Sequence, residues 1–230
     1  MAAAQDKYGD RIRWFASIPW QHPEFAREEL AWAMDKGAVG VVVLANIAGQ
    51  DLTDPAFAPV WGDIDRRALP VLVHPTAPQG VADLHMDEYG LVPPVGFMVD
   101  TTVAFSRMIF NGFLDRYPNR KLIAAHGGAT LPYLAGRLDI CHERIPACSE
   151  HISDKPSSYL QRIWYDSVVY APEALDLCIK VAGGSERVLY GSDYPHNIGD
   201  MTGILARVNN LKKTDAKRIA GKNAEQLFGL

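Results

Sequence analysis

The chain has 230 residues, 48% of them hydrophobic, enough for one α/β domain with a sizeable core. Its formal charge of −4 supplies no basic face for a nucleic acid, and no stretch approaches the roughly 20 apolar residues of a membrane span. Cys141, Cys148 and Cys178 lack metal-type spacing and read as free thiols, and the first residues lack a signal peptide's apolar core, so the expected location is the cytoplasm.

A short polar helix over 2–10 precedes a strand over 11–18 that Pro19 ends. Phe25, Leu30, Ala33 and Met34, at helical spacing, predict a helix from Pro23 to Lys36 with Gly37 as its stop. The β-branched run Val39–Leu44 predicts a strand buried on both faces. Asp54 as N-cap and Pro55 at the first position open a helix through Asp65. The strand from Leu69 ends in His74, followed by proline. Residues 75–100, with four prolines, three glycines and no clean period, predict a long functional loop. A helix over 101–116 leads to a strand over 121–126 that ends in His126, followed by two glycines. A helix over 132–144, a polar loop over 149–155 and a short helix from Pro156 come next. A strand over 163–170 and a helix over 172–181 precede the strand from Val188, which ends at Asp193 just before Pro195. A helix near Met201 and another capped by Thr214 and closed by Gly221 complete the series, with Phe228 and Leu230 docked on the core.

Strand and helix thus alternate about six times, which predicts a parallel sheet with right-handed crossovers. A doubly wound sheet calls for a glycine-rich phosphate turn after an early strand; none is present, which favours a barrel.

In such folds the strand C-termini open onto one common face. A lone histidine beside an apolar strand is more often structural, and an aspartate after Gly-Ser is a common turn. His74, His126 and Asp193 recur at equivalent places on separate strands, however, and imidazole with carboxylate suits a zinc-type ion that polarises a carbonyl or activates water. Arg137 reads either as a surface helix residue or as a carboxylate clamp, and His196 as a pocket-lining residue beside Asp193. His22, His85, His142 and His151 lie in polar contexts and are expected at the surface; Trp14, Phe15, Trp164 and Tyr165 are expected in the core.

The stretches VLVHP, AAHGGATLPYLAGRLD, WYDSVVY, LYGSDYPH and GKNAEQLFGL together resemble the amidohydrolase 2 family. This branch of the metal-dependent amidohydrolases includes aminocarboxymuconate semialdehyde decarboxylase and aromatic-acid decarboxylases such as γ-resorcylate decarboxylase. The likeness covers nearly all of the chain and preserves motif order. It implies an α/β fold of the (β/α)₈ TIM-barrel type, in one amidohydrolase-like domain over 1–230. It implies further that His74 is a metal ligand and that Asp193 is a metal ligand that also handles protons. His126 then contacts the metal-bound water or the substrate, and Arg137 binds a substrate carboxylate. The expected cofactor is a divalent metal, zinc first.

Family members begin with a His-x-His strand carrying two further ligands, and no His-x-His occurs here. The first strand resembles the third of the barrel. The expectation is therefore an N-terminally truncated barrel of about six of eight β/α units, holding metal weakly or not at all through two remaining ligands. Strand edges left open near 11–18 and 188–192 predict a homo-oligomer, most simply a dimer. The implied activity is non-oxidative decarboxylation of a small unsaturated or aromatic carboxylic acid. Metal-dependent hydrolysis of a lactone, ester or amide is the alternative, and a non-catalytic barrel module the third reading. The expected partner is the small acid, with neither nucleic acid nor membrane.

Overall fold

The structure, a computed structural model, describes residues 1–230. The short helix α1 (Ala2–Lys7) leads to β1 (Phe15–Ser17), α2 (Pro23–Asp35) and β2 (Gly40–Leu44). A small antiparallel hairpin follows, β3 (Asn46–Ile47) with β4 (Gln50–Asp51), which the sequence did not announce. Next come α3 (Ala58–Arg66), β5 (Pro70–His74), α4 (Phe97–Phe110) and α5 (Phe113–Arg116). The chain continues through β6 (Lys121–Ala124), α6 (Leu131–Arg144), α7 (Pro156–Leu160), β7 (Trp164–Asp166) and α8 (Pro172–Val181). It ends with β8 (Val188–Leu189), α9 (Met201–Asn209), α10 (Lys213–Lys217) and α11 (Asn223–Phe228).

Six strands form one parallel sheet in the order β1-β2-β5-β6-β7-β8. Strand order follows sequence order and never reverses, as in six successive units of a (β/α)₈ barrel and unlike a doubly wound sheet. Because side chains alternate along a strand, each strand feeds two layers. Val41, Val43, Val71, Val73, Leu122, Ala124 and Tyr165 point to the helices and are fully buried in the main core. Leu72, Ile123 and Leu189 point the other way, with Phe15 and Trp164, into a second, smaller cluster.

That second face is covered by the C-terminal helix. Ala224, Leu227 and Phe228 of α11 pack in the same cluster, and the Phe228 ring meets Phe15 edge-on at 5.5 Å. The buried Asn223 fixes the helix to β8 by donating its side-chain amide to Ser185 O and Val188 O, both at 2.7 Å. Tyr190 N–H, just past β8, donates to Ile219 O at 2.9 Å. The outer backbone groups of this edge strand are thus satisfied by the C-terminal segment.

Several boundaries differ from those expected, each for a visible reason. The expected 101–116 helix begins at Phe97 and breaks at Gly112, whose φ of 70° is left-handed and where a Cβ would meet His151 O at 2.7 Å. Gly221 does not close a helix: the chain passes it in a wide π turn over 218–222 and continues as α11. Burial of Ile219 and Leu227 outweighs the roughly 1 kcal/mol glycine penalty. Thr214 is not a cap, since the extended residue before α10 is Lys212. Phe228 docks as expected, whereas Leu230 is 58% exposed. His142 is half-buried rather than at the surface, with Nε2 facing Ile152 O at 3.4 Å. The strands expected over 11–18, 163–170 and 188–193 pair only over 15–17, 164–166 and 188–189.

Leu227→Ala therefore removes a fully packed side chain between sheet and helix and is expected to cost about 2–4 kcal/mol. Leu230→Ala, at an exposed position, is expected to stay within about 0.5 kcal/mol. Urea unfolding midpoints compare the two, and equal values would refute the covering role of α11.

Candidate metal and active site

His74 is the last residue of β5 and lies opposite Leu44 in the parallel register. It sits two residues past Leu72 and so shares its face, while Val71 and Val73 turn to the helices. His126 and Asp193 lie beyond the ends of β6 and β8, both in the left-handed region, with φ of 58° and 57°. Such conformations cost on the order of 1–2 kcal/mol for a residue with a Cβ and cluster at functional sites.

Asp166, the last residue of β7, shapes the turn that carries His126. Its Oδ2 accepts the His126 N–H at 2.9 Å, and its Oδ1 accepts those of Gly127 and Val168, also at 2.9 Å. Gly127 and Gly128 are required there. A Cβ on the first would meet Val169 Cγ1 at 2.5 Å and on the second the Tyr165 ring at 2.6 Å. Accepting the N–H of Val168 also turns the chain out of β7, which explains why that strand stops short.

The triad converges. Ligand atoms of His74, His126 and Asp193 all lie within 4.8 Å of one another. His126 Nε2 is 3.6 Å from Asp193 Oδ1, and both side chains are almost wholly buried. The His74 and His126 rings are 5.3 Å apart at 66°, and the exposed His196 stacks over His74 at 6.2 Å and 22°. Arg137 stands exposed in the second turn of α6, and no hydrogen bond or ion pair ties it to the triad.

Hydrogen bonding assigns the protons. His74 Nδ1 lies 2.8 Å from Pro75 O, which only accepts, so Nδ1 carries the proton and Nε2 keeps its lone pair. Burial lowers the His74 pKa, opposed by that hydrogen bond, which favours a neutral imidazole. His126 Nδ1 is buried without a partner. Orphaned buried nitrogens are rare; one in a cluster of three converging ligand groups fits a centre built to hold a divalent cation. The sequence reading counts His74 and Asp193 as ligands with His126 beside them; in the structure all three bring a potential ligand atom within 4.8 Å of the others.

Two further groups were missed. Asp166 was read as part of a longer strand, although it ends an apolar strand just as His74 does. Asp100, 6% exposed on α4, accepts the Thr76 N–H at 2.9 Å and the Asn46 side-chain amide at 2.8 Å. Burial raises its pKa and these two hydrogen bonds pull it back. A cleft of about 330 Å³ runs along β1 and β2, lined by Trp20, Val42, Leu44 and Ile47 with Ser17 and Gln21 as its polar groups, Leu44 being the residue opposite His74 in the register.

Asp166→Asn keeps an acceptor for Gly127 and Val168 but turns an NH₂ toward the His126 N–H. It is expected to cost about 1–3 kcal/mol and to release the His126 amide to faster hydrogen exchange while Gly127 stays protected. Unchanged His126 exchange in Asp166→Asn would contradict this role.

Comparison with known proteins follows the same lines. The chain is 29% identical to 2-amino-3-carboxymuconate-6-semialdehyde decarboxylase of Dictyostelium discoideum, over 93% of its own length and 60% of the relative's. It thus spans less than two thirds of that relative. Among solved structures, 5-carboxyvanillate decarboxylase of Sphingomonas paucimobilis superposes with a TM-score of 0.91 at 26% identity, covering 100% of this chain and 70% of the other. Dihydroxybenzoic acid decarboxylase of Polaromonas sp. JS666, solved with manganese and the inhibitor 2-nitroresorcinol, gives 0.89 at 26% identity, covering 100% and 72%. The amidohydrolase family matches residues 1–230 from end to end, and the chain belongs to it.

Proposed function

We propose that this chain serves a metal-dependent, non-oxidative decarboxylation of a small aromatic or unsaturated carboxylic acid. The observation that carries the reading is the convergence of His74, His126 and Asp193 at the C-terminal ends of the strands, in a fold shared with decarboxylases. His74 through Nε2, Asp193 through its carboxylate and His126 are the donors for a divalent ion. Two imidazoles and a carboxylate suit zinc, and the manganese of the Polaromonas enzyme makes that ion the second to test. When bound, the ion supplies positive charge that orients an acidic substrate and accepts developing negative charge.

The protein's own groups account for the rest. Loss of CO₂ leaves the bonding electron pair on the ring or vinyl carbon, which must then take a proton. Asp193, whose second carboxylate oxygen stays free of the ion and whose Oδ1 lies 3.6 Å from His126 Nε2, is the group on which that proton is held and from which it is delivered. The largely apolar cleft along β1 and β2 receives the planar body of the acid. His196, stacked on His74, is assigned to the substrate side of the site. Arg137, free of any ion pair, is assigned to a substrate carboxylate. The line of exposed Val95, Val99 and Val103 running into and along α4 supports a homodimer. The unpaired thiols support a cytoplasmic, reducing compartment. No helix is long and apolar enough to cross a membrane.

The purified chain, titrated with zinc or manganese, is expected to bind one divalent ion and to release CO₂ from hydroxybenzoate-type acids. His74→Ala is expected to lose the ion, and Asp193→Asn to slow CO₂ release by about 10²–10⁴-fold. Ring opening or ester cleavage without CO₂ would replace this reading by hydrolysis, and metal binding equal in wild type and His74→Ala would sink the site.

A further inference from the structure

The His74 ring takes its orientation from a peptide unit that is gripped at its other end. The carbonyl that accepts its Nδ1–H belongs to Pro75, and that carbonyl and the Thr76 N–H are the two ends of one planar amide. The Thr76 N–H donates to Asp100 Oδ2 at 2.9 Å. In a trans peptide these two groups point in opposite directions, so the Asp100 carboxylate, the Pro75–Thr76 amide and the His74 imidazole form one continuous relay. Asp100 cannot drift, because its other oxygen accepts the Asn46 amide at 2.8 Å. Asn46 is itself held on both sides: it donates to Ala77 O at 3.1 Å and accepts from Gly49 N–H at 3.0 Å. The β3–β4 hairpin that carries Asn46 thus reaches across to the segment that follows β5.

We infer that Asp100, assisted by Asn46, is the remote positioning residue of His74, acting through the Pro75–Thr76 peptide. A carboxylate on the amide N–H polarises the unit and makes its carbonyl a stronger acceptor, since hydrogen bonds in a chain reinforce one another. A stronger acceptor keeps the proton on Nδ1 and leaves the Nε2 lone pair facing the site. In many metal centres a carboxylate holds the ligand histidine's second nitrogen directly. Here a whole peptide stands between them, and the carboxylate comes from a helix that supplies no donor to the triad. The inference rests on reading His74 as a metal donor, but the state of its imidazole is measurable whether or not a metal binds.

Asp100→Asn is the decisive variant, because an amide accepts from only one of the two N–H groups that Asp100 now satisfies. Nitrogen-15 spectra of the histidine rings in the metal-free chain are expected to show wild-type His74 protonated at Nδ1. The variant should show a larger share of the Nε2-protonated form, with the exposed His22 unchanged as internal control. Zinc and manganese titrations are expected to weaken by about 10–100-fold. A merely structural role would lower stability without moving the His74 tautomer. If Asp100→Asn fails to fold, two wild-type measurements still decide: the Nδ1-protonated form, and a Thr76 amide exchanging far more slowly than its loop neighbours. His74 protonated at Nε2 in wild type, or a tautomer indifferent to Asp100→Asn, would overturn the relay. Absence of metal binding in wild type with the tautomer shift present would instead retire only the metal reading.

Discussion

One carboxylate organises the face on which the site is built. Asp166 ends β7 with two oxygens and accepts three backbone N–H groups, from His126, Gly127 and Val168. Those groups belong to two different strand-to-helix connections, so the side chain ties neighbouring units of the sheet at the point where each must turn. The arrangement needs the rigid parallel register of β6 and β7 beneath it, in which Ile123 and Ala124 face Trp164 and Tyr165. Without that register the three donors do not come within reach of one acid. Once they do, the left-handed backbone at His126 is over-determined and its strain is tolerated.

The same logic distributes order around the site. Asp166 fixes the backbone of His126, Asp100 fixes the amide next to His74, and Asp200 caps α9 by accepting the Gly203 N–H at 2.7 Å, close to the end of the loop that carries Asp193. Three of the residues that shape the face are therefore acids that accept backbone N–H groups. Placed so, each carboxylate has hydrogen-bond partners of its own within the fold. That leaves Asp193 and the imidazoles as the groups with unmet valence, consistent with the orphaned His126 Nδ1.

What the sequence revealed follows from which signals are local. His74 was legible because an apolar run, a polar residue and a proline stand in a row, and Asp193 because a polar residue and a nearby proline follow an apolar run, although β8 itself stops earlier, at Leu189. The buried strands were legible from their apolar runs: β2 from the continuous β-branched stretch, and β5 and β6 from runs that stop at His74 and His126. Asp166 was not, because the β-branched residues after it in WYDSVVY continue the strand pattern, and only the closing of a turn on its own carboxylate ends the strand. Asp100 lies at the join of an irregular stretch and a helix, and its partners Thr76 and Asn46 are distant in sequence. Gly221 misled because local propensity gives way when the residues on either side, Ile219 and Leu227, find a core to enter. Arg137 shows the reverse: the motif placed it, while the fold leaves it without a partner.

The contact between Phe15 and Phe228 bears on how the molecule comes to exist. These rings meet although they come from opposite ends of the sequence, and between them they seal the second apolar layer of the sheet. Every strand must therefore be made, and the last helix released, before that layer is dry. Before α11 packs, Leu72, Ile123 and Trp164 lack the cover that Ala224, Leu227 and Phe228 give them. Contacts of such long sequence separation slow folding, because loop closure must be met before they contribute. Until α11 docks, that apolar face stays open to solvent and to association with other apolar surfaces.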